Sequence, residues 1–286
     1  MPLLTKLRMA VCAAAGVLLA AGLHAQTPPP TSPPAVPPEA KSPATADLGV
    51  RVELEPQAID LLKAMSHRLA TARTMTFTAV ATYESLARTG APLAYTTISE
   101  VALKRPDMLR VITPGDGPPS EFYYNGRTIT AFAPQANLVA VAEAPPTIDA
   151  MLKAAFEKAA LYFPFTDVIV ADPYGDIADS LKIAFVVGQS RVVGDTKTDV
   201  IALATDTMQA QVWIGTADRL PRMIRATFFD DPAHYRHTVA FSNWHLDGPI
   251  PSERFTSAQA ARAARIPFRS PEADLPKPAT PEGAKP

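Results

Sequence analysis

The chain has 286 residues, 47% of them apolar and 19% charged, with a formal net charge of −1. That length supports a sizeable core in one large domain or two small ones, and the nearly neutral balance excludes an extended polyanion-binding surface, so no nucleic-acid partner is expected. Cys12, the only cysteine, lies in an N-terminal apolar run, so a processed chain would carry neither a thiol nucleophile nor a disulfide.

Residues 1–25 read as a secretory signal peptide. Lys6 and Arg8 precede an apolar run from Met9 to Ala21, and Leu23, His24, Ala25 offer a cleavage site before Gln26. The run is short for a membrane span, which takes about 20 residues. An uncleaved anchor is the alternative. Residues 26–51 form a spacer: eight prolines stand between Gln26 and Ala46 among Thr, Ser and Ala, a composition that favours extended polyproline conformation over a packed core. Residues 259–286 repeat that bias and are expected to be a disordered tail. The folded unit is then 52–258.

It opens with Pro56, suited to a first helical turn because its missing N–H is no loss there. A helix to about Ala72 follows, with Ile59, Leu62, Met65 and Leu69 on an apolar stripe. Strands are predicted at roughly 76–84, 93–104, 108–113, 120–125, 127–133 and 138–143. In the first of them Phe77, Ala79, Ala81 and Tyr83 share one side, while Thr78, Thr82 and Glu84 take the other. Asn125-Gly126, between Tyr123-Tyr124 and Ile129, is a strong hairpin signal and predicts a type I′ turn. Thr147 then caps a second helix in which Ile148, Met151, Leu152, Ala155, Phe156 and Ala159 step by three and four. A short helical piece is expected from Asp172-Pro173 to about Leu181. Strands resume at roughly 182–193, 197–204, 208–214, 222–229 and 235–244, with hairpins at Gly194-Asp195, Ala217-Asp218 and Asp230-Asp231-Pro232.

About eleven strands interrupted once by helices give an α+β, mainly β fold. The architecture expected is a strongly curved antiparallel sheet, or incomplete β-barrel, with helices covering its concave face. Such a sheet leaves an apolar hollow wherever the helices do not fill it.

Catalytic chemistry is not legible. No Gly-x-Ser-x-Gly elbow, phosphate-binding glycine loop or His-Glu-x-x-His helix occurs. His234, Arg236, His237 and His245 read as residues of a hairpin rather than metal ligands, since positions 234 and 237 of one strand face opposite ways. No catalytic residue, metal or cofactor is expected.

One stretch carries a family resemblance: Val101, Ala102, Leu103, Lys104, Arg105, Pro106, then Leu109 and Arg110, then Tyr123 to Ile129 around Asn125-Gly126. It resembles the fold superfamily of the periplasmic lipoprotein carrier and outer-membrane lipoprotein receptor (LolA/LolB-like), departing from the carrier at Leu103 and Arg110. Within that superfamily, Pro56-Gln57-Ala58, Lys104 to Asp107, Asp172-Pro173-Tyr174, Gln211 to Ile214 and Trp244 are similar to the DUF2092 family of predicted periplasmic proteins. The resemblance implies a periplasmic protein of a Gram-negative bacterium. It also implies a helical lid held by Arg105 over a cavity for a lipid, a lipoprotein acyl group or another hydrophobic ligand.

The candidate wall is Phe77, Val101, Leu103, Tyr124, Ile129, Met151, Phe156 and Trp213. An acyl chain would bind there with roughly 0.8 kcal/mol per buried CH₂ and no strong polar signature. The superfamily also contains regulators that bind an anti-sigma factor, so the alternative is a non-enzymatic sensor or scaffold with an envelope-protein partner. A monomer is expected in either case.

Overall fold

The structure, a computed structural model, describes residues 54–270 apart from 88, 89, 116 and 232. The expected signal peptide, the expected spacer and positions 271–286 of the expected tail lie outside the described residues. Helix α1 (Pro56–Thr71) leads into six strands, β1 (Thr74–Leu86), β2 (Pro92–Lys104), β3 (Met108–Thr113), β4 (Ser120–Asn125), β5 (Thr128–Ala133) and β6 (Leu138–Glu143). Three helical pieces follow, α2 (Ile148–Ala159), α3 (Thr166–Ile169) and α4 (Gly175–Ala178). The chain then returns as β7 (Ile183–Ser190), β8 (Thr198–Ala204), β9 (Met208–Gly215), β10 (Pro221–Phe228) and β11 (Arg236–Leu246), and adds β12 (Ala264–Ile266).

All twelve strands belong to one sheet in the order β12-β6-β5-β4-β3-β2-β1-β11-β10-β9-β8-β7. The two meanders are joined by antiparallel pairing of β1 with β11; among the described strands β12 on β6 is the parallel pair, and an isolated parallel bridge joins Leu54 to Ala184 of β7. The edges β12 and β7 do not pair with each other, so the sheet stays open. It is strongly curved, because α1, α2 and α3 bury side chains from both meanders in one core.

That core follows the alternation in the strands. Phe77, Ala79 and Ala81 of β1 are buried under the helices, as are Leu109 and Val111 of β3 and Met208, Ala210, Val212 and Ile214 of β9. A bulge redirects one side chain: Thr76 pairs with His245 and Thr78 with Ser242, so Asn243 and Trp244 face a single residue, Phe77. Asn243 takes φ +56° in it, and Trp244 turns inward to pack on Phe77 with ring centroids 4.4 Å apart.

Three expectations differ from the structure. The turn after β4 is not type I′, because Gly126 has φ +88° while Asn125 is not left-handed. The Asn125 carboxamide oxygen instead accepts from the N–H groups of Arg127 and Thr128, an Asx turn in which the side chain takes up donors of the loop. Residues 259–270 are not tail throughout: 260–262 make a 3₁₀ turn and Ala264–Ile266 pair with β6. Ala260 and Ala263 are small enough to lie flat on Phe132 and Val139 of the convex face. This adds the twelfth strand to the eleven expected.

Candidate functional site

The loop between β2 and β3 gathers the helical layer. The Pro106 carbonyl accepts from Ile148 N–H in the first turn of α2. Arg105, half-buried, reaches in the other direction: its Nη2 donates to the Val170 carbonyl after α3 at 2.9 Å and to the Leu69 carbonyl in the last turn of α1 at 3.4 Å. A guanidinium suits this position because the last carbonyls of a helix lack intrahelical partners and attract cations. Burial pushes the Arg105 pKa below its usual value, and the nearby Asp149 carboxylate opposes that shift. Asp149 in turn accepts from Ala171 N–H at 3.1 Å, tying α2 to the segment after α3. One loop therefore holds α1, α2 and α3 together.

Beneath this layer the two halves of the sheet differ. In the first half, Leu103, Leu109, Tyr124 and Ile129 stand side by side across β2 to β5, because they pair in register. All four are large and fully buried. Tyr124 is anchored by donating to the Pro145 carbonyl, and burial raises its pKa to about 12. Phe163 and Phe165 close over this half, edge-on to Phe122 and Phe77 respectively. Phe77, Val101, Leu103, Tyr124, Ile129 and Met151 belong to this filled core.

None of the eight residues expected to form the wall lines the apolar hollow found beneath the helices in the second half of the sheet. Phe156 is half-buried on α2. Trp213 lies on the opposite face of the sheet, since its neighbours Val212 and Ile214 take the core side of β9, and Arg225 stands over its ring at 5.9 Å.

The cavity lies in the second half. The corresponding row across β8 to β11 is Leu203, Ala210, Ala226 and His237, again paired in register, and its middle is two alanines. With no bulk there, a hollow of about 110 Å³ remains between these strands and Leu62 and Met65 of α1, Val168 of α3 and Ile177 of α4. Phe228, Val212, Ile224 and Val239 complete an apolar lining.

Its polar groups are few: Tyr162, Asp167 and His237. Burial, with the Asp176 carboxylate nearby, raises the Asp167 pKa to about 6. Burial also pushes the Tyr162 phenol well up, helped by Asp167. His237 is pushed down by burial, against the attraction of Asp231 and Glu84. Sequence reasoning placed His237 only in a hairpin and did not single out Tyr162 or Asp167. The signal that was present is parity: Ala210 and Ala226 fall on the inward register of two adjacent strands.

Among the described residues no group of three or more His, Cys, Asp or Glu side chains could hold a metal ion, and no helix is long and apolar enough to cross a membrane. The Arg110 Nη1 is buried without a hydrogen-bond partner; Arg110 points away from the core, between Leu109 and Val111, which explains how an arginine replaces an apolar residue there.

A family model described as a predicted periplasmic protein (DUF2092) matches residues 58–269. Comparison with curated proteins found no match. Among solved structures, the chain is similar to LprF from Mycobacterium bovis at 14% identity, with a TM-score of 0.42 over 70% of this chain and 98% of the other. It is similar to the Pseudomonas aeruginosa MucA/MucB complex structure at 16% identity, TM-score 0.40, over 71% and 62%. It is also similar to a LolA superfamily protein from Nitrosomonas europaea at 11% identity, TM-score 0.31, over 68% and 97%.

Proposed function

We propose that this chain, which belongs to the DUF2092 family of predicted periplasmic proteins, is an exported, non-catalytic binding protein that holds a hydrophobic ligand between its curved sheet and helical layer. The observation that carries this reading is the alanine-floored hollow under α1, α3 and α4. It is far roomier than the roughly 10–15 Å³ that one water needs, yet its lining offers a water few polar partners. An apolar chain gains roughly 0.8 kcal/mol for each methylene buried there, or about 5 kcal/mol for six, before the cost of association. Arg105 acts as the lid contact, because it binds two of the three segments that cover the concave face.

The test is native mass spectrometry with organic extraction of the mature protein purified from its own envelope fraction, beside an Ala226→Phe variant. Phenylalanine at 226 places a ring in the hollow. A co-purifying hydrophobic molecule that is lost in the variant, while the melting temperature holds, supports the reading. A wild-type protein free of ligand, or a ligand retained unchanged by the variant, overturns it.

A second reading, an envelope-protein partner, is favoured by one observation. The edge strand β7 exposes Phe185 and Val187 by 44% and 52%; Glu55 already bonds the Ala184 carbonyl and the Val186 N–H, so strand addition would use the edge from Val187 onward. Val187→Lys would then abolish partner co-purification and leave cavity ligands untouched.

A further inference from the structure

The polar groups of the hollow do no work in holding the lid. Among the described residues Asp167 accepts no hydrogen bond and forms no ion pair, and the Tyr162 hydroxyl has no partner. The neighbouring carboxylates differ: Asp149 accepts from Ala171 N–H, and Asp172 from Gly175 N–H. No lysine or arginine lines the cavity. Its two other polar groups are a phenol and an imidazole that burial keeps neutral at pH 7. Asp176 lies close enough to Asp167 to add to the negative potential.

An anionic head group placed here would meet a carboxylate in a medium of low dielectric with no compensating cation, which is strongly unfavourable. A cationic head would satisfy that carboxylate, and the lining supplies two aromatic rings, Tyr162 within electrostatic reach of Asp167 and Phe228, of the kind that ammonium groups pair with. We propose that the cavity takes an apolar chain ending in a protonated amine, with Asp167 as counter-ion and Tyr162 and Phe228 as the walls beside it. This rests on the cavity reading above and adds the class of head group. The raised pKa of Asp167, about 6, agrees with a carboxylate that lacks its partner in the free protein.

Decylamine, decanol and decanoate share one chain and differ only in the head. Their binding to the mature protein at pH 7.5, measured by calorimetry, is compared with binding to Asp167→Asn and to Ala226→Phe. The amine is expected to bind at least tenfold more tightly than decanoate. Asp167→Asn should weaken the amine about tenfold and leave decanol unchanged, with a melting temperature no lower than that of the wild type.

Decanoate binding as tightly as decylamine overturns the proposal, as does an amine preference that survives Asp167→Asn. If Ala226→Phe weakens all three ligands while their order is flat, the cavity reading stands and the head-group inference falls. If Ala226→Phe weakens none of them, or none binds to the wild type, both fall.

Discussion

Asp167 carries a measurable consequence for stability even without ligand. Its pKa stands at about 6 in place of the ordinary 3.8, because burial and the Asp176 carboxylate disfavour its charged form in the folded chain. The folded state therefore holds this proton more tightly than the unfolded state, and stability falls as pH rises from about 4 through 6. At about 1.4 kcal/mol per unit of pKa, the rise amounts to about 3 kcal/mol, felt almost in full at pH 7 and shrinking to about 0.5 kcal/mol at pH 4.

Asp167→Asn removes this titration. The variant should match the wild type to within about 0.5 kcal/mol near pH 4 and exceed it by up to about 3 kcal/mol at pH 7, which for a domain of this size corresponds to about 6–12 °C in melting temperature. The assay is urea denaturation of both proteins at several pH values from about 4 to 7.5. Tyr162 and Asp176 interact with the same group and His237 titrates elsewhere in the lining, so the difference between the two curves is the readout rather than either curve alone. A difference that stays constant with pH would refute the buried, unpartnered carboxylate.

Arg105→Leu removes the donors to the Leu69 and Val170 carbonyls and should cost about 2 kcal/mol in urea denaturation, with decanol released faster in stopped-flow measurements; unchanged stability and release would remove Arg105 from the lid. At Gly126, with φ +88°, a Cβ would lie 2.7 Å from Asp107 Oδ2. Gly126→Ala should thus destabilise by at least about 1 kcal/mol, read as a lower denaturation midpoint. Phe77→Ala should cost about 3–5 kcal/mol, because Phe77 packs on Phe165, Phe241 and Trp244 in the core. Trp213→Ala, on the opposite face, should leave decanol affinity within twofold of the wild type.

The element order and most strand bounds were legible because hydrophobic alternation and hairpin residues are local signals. Phe77, Ala79 and Ala81 alternate with Thr78 and Thr82 whatever the strand pairs with. Three features were not legible. The β12 strand is three residues long and becomes visible only once β6 offers an edge. The bulge at Asn243 reverses the parity of β11, so Trp244 packs in the core although its sequence offset from Phe241 would face it outward. Asp167 reads as an ordinary helix-start residue, since an acidic side chain in a first turn suits the helix dipole; its burial depends on β8 to β11, which follow it in the chain.

The placement of the cavity follows from cross-strand register, a property that no single strand states. Large residues at matched positions fill the first half, where Leu103, Leu109, Tyr124 and Ile129 stand side by side. Ala210 and Ala226, matched in the second half, leave the helices with nothing to pack against at the middle of the row. The lid is nevertheless held from the first half, through Arg105 and Pro106. The half that fixes the helices is thus not the half that stays hollow, and α1 and α3 span the two. Moving α3 and α4 would break the Arg105–Val170 and Asp149–Ala171 bonds and the bonds of Ser66 to Asp172 and Tyr174, whereas the Tyr124–Pro145 bond lies outside that set. Sequence weighting by aromatic residues pointed to the filled half, whereas space for a ligand is made where side chains are small.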